Sequence, residues 1–149
     1  YGVLYNWPAA SEACPSGWHL PESDEWNILI NYLIENGHNY DGNIRNENKI
    51  SKSLSSGFGW NLSSIAGVPG NSDYPEYINK SGFSALPGGI INYGIKDIGE
   101  IGCWYTRKMD SQRLKYLNSM PFVVYFNETK SRFSSLANDA SSIRCVKNY

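Results

Sequence analysis

One segment of this chain repeats apolar residues at helical spacing over two full turns. Trp26, Leu29, Ile30 and Leu33 fall at i, i+3, i+4 and i+7, a single stripe along a helix. The pattern predicts a helix over 22–36, closed by Gly37 in the left-handed position that ends many helices. Pro21 breaks the chain before it. The start offers two caps: Ser23 alone, or Glu22 as a weaker one. Either way Glu22, Asp24 and Glu25 suit the positive helix N-terminus.

The periodicity then changes twice. Residues 36–49 hold five asparagines and few apolar positions, and read as a loop. A short second helix is expected over 49–54. Residues 55–80 mix Gly57, Gly59, Gly67, Pro69, Gly70 and Pro75 with aromatics, the mark of long irregular structure. Beyond Phe83 the pattern shortens to strands at 89–93, 102–106, 114–117, 122–126, 131–135 and 142–146. In the last, Ile143 and Cys145 face one way, Arg144 and Val146 the other. Asp97-Ile98-Gly99, residues 118–121 and Asn138-Asp139 supply the turns. Such close spacing favours antiparallel hairpins over crossover units. The expected class is α+β: one main N-terminal helix, an antiparallel strand meander and long irregular loops, in one domain over 1–149.

Composition narrows the partners. At 149 residues the chain can bury a sizeable core, and 41% hydrophobic content is in the globular range. A balance of 13 basic against 14 acidic residues leaves no phosphate-binding stripe, so nucleic acid is not an expected partner. No apolar run approaches the roughly 18 residues of a membrane span, so direct membrane insertion is not expected. Aromatics reach 14%, alongside many Asn, Ser and Gly. That mixture fits a loop-rich β-containing fold and equally an exposed recognition surface. A monomer is expected.

Three motifs carry a family resemblance. Tyr5-Asn6-Trp7, Cys14-Pro15-Ser16-Gly17-Trp18-His19-Leu20-Pro21 and Glu25-Trp26 open the chain. Ser81-Gly82-Phe83-Ser84-Ala85-Leu86-Pro87-Gly88-Gly89 lies at its centre, and Ser142-Ile143-Arg144-Cys145-Val146-Lys147 near its end. In this order they resemble the Fibrobacter succinogenes major paralogous domain. The resemblance implies a C-type-lectin-like fold of the formylglycine-generating-enzyme variant. It also implies an exported bacterial protein, secreted or lipid-anchored at the outer cell surface. Cys14 and Cys145 lie in the first and last motifs. A bridge between them would close a loop of about 130 residues, which chain-entropy models value at nearly 5 kcal/mol. The alternative is two buried thiols acting as small hydrophobes. Cys103, where the family usually places an aromatic, reads as a packed thiol.

Little of the chain points to catalysis. There is no Gly-x-Ser-x-Gly elbow, and Ser84 reads as a turn residue bonded to backbone. Gly88-Gly89 lacks the lysine of a phosphate-binding loop. No spacing singles out a pair among the carboxylates, and His19 and His38 lack a nucleophile context. The cysteines show no metal-ligand spacing, so neither a metal nor another cofactor is expected. The calcium–sugar triplets Glu-Pro-Asn, Gln-Pro-Asp and Trp-Asn-Asp are absent. The resemblance places ligand loops within 102–132, where the chain reads Cys103-Trp104-Tyr105-Thr106-Arg107 against the family's usual Trp-Trp-Ser-Ser-Thr. Tyr93, Trp104, Tyr105, Arg107, Asp110 and Arg113 are the candidate ligand residues, with Tyr105, Arg107, Asp110 and Arg113 expected to be exposed. The expected function is a non-catalytic binding or adhesion module for a glycan or cell-surface protein. The alternatives are an enzyme related to formylglycine generation and a purely structural module.

Overall fold

The computed structural model describes residues 1–45, 48–91, 94–107, 113–118, 123–125 and 140–149, with 113–118 and 123–125 as backbone. Within these residues the chain mixes helices with small antiparallel sheets, an α+β architecture. Helix α1 spans Trp7–Glu12. The Asn6 side chain accepts the Ala9 N–H at 3.0 Å, and Pro8 occupies the first turn, where its missing N–H breaks no helical bond. Six residues are too few to show a hydrophobic period, so α1 was not expected.

Helix α2, Ser23–Glu35, carries the apolar stripe, and Glu22 is its cap. The Glu25 carboxylate reaches back to accept the Glu22 N–H at 2.8 Å, the carboxylate arm of a capping box. At the far end Gly37 takes φ 71°. The His38 N–H donates to Leu33 at 3.0 Å and the Gly37 N–H to Ile34 at 3.1 Å, the paired bonds of a glycine stop. Helix α3 follows at Ser51–Leu54.

Among the described residues there are seven short strands: β1 Trp18–His19, β2 Ile90–Ile91, β3 Ile95–Lys96, β4 Ile101–Thr106, β5 Arg113–Asn118, β6 Val123–Tyr125 and β7 Val146–Lys147. Strands β4, β5 and β6 form the expected meander, in register from Ile101↔Asn118 to Thr106↔Arg113. The expected strand at 131–135 lies outside the described residues. The last expected strand is only partly a strand. Ala140, Ser141 and Ser142 each bridge a different neighbour, namely Ile91, Tyr5 and Trp104. Three partners in three residues leave no room for a ladder, so regular pairing waits until β7 meets β1.

Strand β4 sits between two cores. Its side chains alternate, so consecutive aromatics serve opposite faces. Trp104 joins Trp26, Ile30, Leu33, Ile50 and Leu54 in the larger cluster. Tyr105 joins Ala10 and Leu20 in the smaller one, where Trp7 of α1 meets its ring edge-on at 5.4 Å. Cys14 and Cys145 are bonded, 5.7 Å apart at Cα, and this bridge packs beside the smaller cluster. Cys103 is fully buried, and its sulfur accepts the Ser141 hydroxyl at 3.4 Å.

A buried cation organises the irregular middle of the chain. Lys52 in α3 is 0% exposed. Its ammonium donates to the carbonyls of Asn71 (2.9 Å) and Asp73 and pairs with the Asp73 carboxylate. The second Asp73 oxygen accepts the Gly67 N–H at 2.9 Å. Gly67 has φ 75°, and a Cβ there would sit 2.1 Å from the Tyr40 ring, so only glycine fits. A lysine thus holds the 67–73 loop where apolar residues are scarce.

Two outcomes follow. Denatured, unreduced protein should titrate one thiol and reduced protein three. Cys14→Ser/Cys145→Ser should lose about 2–5 kcal/mol in urea unfolding. Lys52→Met, which strands the carbonyls and the carboxylate that face the ammonium, should cost about 3 kcal/mol in the same measurement.

Candidate functional site

Arg144 is the point where the surface becomes concave. It follows Ile143, whose side chain packs into the smaller cluster, so alternation turns Arg144 toward the larger one. Its guanidinium lies 4.1 Å over the Phe83 ring and donates to the Phe83 carbonyl. Phe83 stands in an aromatic chain, 6.0 Å from Trp26 and 5.5 Å from Trp104 between ring centroids. No carboxylate pairs with Arg144 among the described residues.

Arg144 lines two cavities. The first, about 370 Å³, is bounded by Tyr1, Tyr5, Ser84, Trp104 and Ser142, and its walls are about half polar. Tyr1 is fixed by its hydroxyl, which donates to Gly59 at 3.1 Å. Ser84 is held in a left-handed turn (φ 56°) by Asn79, whose side-chain oxygen accepts the Ser84 N–H and whose amide donates to the Ser84 hydroxyl, each at 2.8 Å. The second cavity is an apolar groove of about 500 Å³ along α2, walled by Trp26, Leu29, Phe83, Val146 and Tyr149. Ile28 and Tyr32, one turn apart on α2, are 69% and 60% exposed at its rim. Both cavities have volumes typical of ligand sites.

Beside the groove, His19 ties three elements together. Its Nε2 lies 3.0 and 2.9 Å from the two Glu25 oxygens, and its Nδ1 lies 2.6 Å from the Asn148 side-chain oxygen. Only the doubly protonated ring can donate to both. The hydrogen bond to Glu25, then that to Asn148, raises the His19 pKa above 6.5, against smaller opposing effects of burial and Arg107. Partial burial would raise the Glu25 pKa, but the Glu22 N–H and His19 outweigh it and hold the carboxyl below its usual range.

Of the expected ligand residues, Trp104, Tyr105 and Arg107 are described with their side chains, and they lie in different surroundings. Trp104 lines the first cavity, although it is only 7% exposed. Tyr105, expected at the surface, is 4% exposed. This is a correction: α1 delivers Trp7 onto the Tyr105 ring, and Trp104 and Tyr105 face opposite sides of β4. Arg107 is exposed, and its N–H donates to Pro21 at 2.8 Å. Tyr93 and Asp110 lie outside the described residues, as does the side chain of Arg113. Tyr5, Ser142 and Arg144 went unnoticed as site residues. Their signal was membership of the three motifs: the first cavity takes Tyr5 from one, Ser84 from the next, and Ser142 and Arg144 from the last. Among the described residues no group of three or more His, Cys, Asp or Glu could share a metal ion.

An α+β domain whose aromatic cavity is built from three separated motifs is the class these observations define. The chain belongs to the Fibrobacter succinogenes major domain family, whose model matches residues 1–147. No curated protein and no solved structure matches the chain.

The His19 geometry has a pH consequence with a definite sign. A pKa raised on folding contributes stability that is complete below about 6.5 and lost as pH rises through the folded value. His19 should therefore lower the melting temperature from pH 6 to pH 8, against an opposite contribution from His38, whose pKa is lowered by burial, and His19→Gln should shift the slope upward. An unchanged slope in the variant would show that His19 is not its source.

Proposed function

We propose that this domain is a non-catalytic binding module of C-type-lectin-like type, carried at the surface by an exported bacterial protein, with a glycan as its ligand. The observation that carries this reading is the half-polar cavity beside Trp104. Aromatic faces there can stack on a sugar ring, and the hydroxyls of Tyr5 and Ser142 and the Arg144 guanidinium can meet its oxygens. This mixture is what a hydroxylated ligand needs and an apolar one does not.

The enzyme alternative has less support. Oxidation of the formylglycine-generating kind relies on a close cysteine pair with an accessible thiol. Here Cys14 and Cys145 are consumed in a bridge and Cys103 is fully buried. A surface-protein ligand is the second reading. It rests on the apolar groove along α2, where the exposed Ile28 and Tyr32 offer a side chain or short segment an apolar seat.

A glycan array checks the first reading. At least one saccharide class should be retained, and Ser142→Val, which narrows the cavity and removes a hydroxyl, should weaken it at an unchanged melting temperature. An array without any retained saccharide would sink the glycan reading.

A further inference from the structure

We infer that the cavity beside Trp104 selects acidic sugars, with Arg144 as the seat of the ligand carboxylate. The inference rests on the binding reading above and goes beyond it by naming the charge the ligand must carry.

Arg144 is the one charged side chain lining this cavity among the described residues. No carboxylate in the lining offsets it, and none pairs with it elsewhere among the described residues. A neutral sugar would leave that charge uncompensated. A carboxylate would meet it with two parallel N–H···O bonds, the geometry guanidinium favours.

The second step concerns positioning. The Arg144 side chain is exposed yet held in place, stacked on Phe83 and bonded to the Phe83 carbonyl. Those contacts use one face and one donor of the guanidinium. The remaining donors stay available, and little side-chain freedom is left to lose on binding. Phe83 is itself held between Trp26 and Trp104, so the cation rests on a rigid base.

The third step separates a sugar acid from an apolar acid. The groove along α2 also borders Arg144, but its walls are mostly apolar and offer a sugar's hydroxyls few partners. The cavity beside Trp104 is lined by the hydroxyl-bearing Tyr5, Ser84 and Ser142 and by Trp104. Hydroxyl-bearing walls next to an uncompensated cation suit a ring that carries both hydroxyls and a carboxylate.

The test leaves the protein intact and changes the ligand. Calorimetric titrations would compare uronate oligosaccharides, sialylated oligosaccharides, their methyl esters, neutral parents and sulfated counterparts. A carboxylated sugar should bind at least about tenfold more tightly than its own methyl ester. Which acid binds distinguishes a uronate source from a sialate one. Arg144→Gln should abolish the difference between acid and ester, and Arg144→Lys should restore it only in part. Equal binding of acid and ester overturns the inference even if either variant fails to fold. Binding of neutral sugars alone, or a preference for sulfate over carboxylate, overturns it and leaves the glycan reading standing. Binding of none overturns both.

Discussion

The junction of the two ends of the chain is the constraint on which the rest of this structure depends. Cys14 is bonded to Cys145, β1 pairs with β7, and Tyr5 exchanges backbone hydrogen bonds with Ser141. These links join residues more than a hundred positions apart, and each costs loop entropy that local structure cannot offset. The covalent one changes that balance, because the bridge restricts the unfolded chain before any strand forms. Two-residue strands such as β1 and β7 are too short to persist alone. They become credible elements once the disulfide holds them in register.

Both cavities follow from that junction. The closing segment carries Arg144 to Phe83 and lays Val146 along α2. The same segment brings Ser142 to β4, where its carbonyl accepts the Tyr105 N–H at 3.1 Å. His19 adds a polar clasp at the same place, joining β1, the first turn of α2 and Asn148. The junction is therefore both scaffold and wall. The residues that fasten the ends also line the concave surface, so the opening motif does not belong to the scaffold alone.

What the sequence revealed tracks the length over which a physical signal is repeated. Helix α2 has thirteen residues, and its stripe, its acidic start and Gly37 all agreed on its limits. The meander was legible because successive strands pair with their neighbours and need only a turn between them. Helix α1 was missed because six residues show no period, although Asn6 and Pro8 mark its start. That omission explains the error at Tyr105, whose burial comes from Trp7 on the unforeseen helix. Ile28 and Tyr32 were also readable in principle: they are apolar, one turn apart, and off the stripe that the core uses. The cavity beside Trp104 was illegible for a different reason. It draws on residues near 5, 84, 104 and 144, and no local pattern reports such a convergence.

The departure of β4 from the usual family pattern can now be placed in space. Against the two tryptophans and serine that the family resemblance leads one to expect, this chain reads Cys103-Trp104-Tyr105. Alternation along the strand puts 103 and 105 on one side and 104 on the other. Thr106 and Arg107 also differ, but Cys103 and Tyr105 change most in volume. Both are buried away from the cavity, one against Ser141 and the other against Trp7. Trp104, the retained aromatic, faces Phe83 and the cavity. A small thiol at one position and a large phenol two residues on exchange volume within a single packed layer, which a core tolerates when the total is kept. Of these two residues Tyr105 packs in the smaller core, and neither lines the cavity. At 103 and 105 the differing residues therefore lie in the packing behind the site and not in its wall.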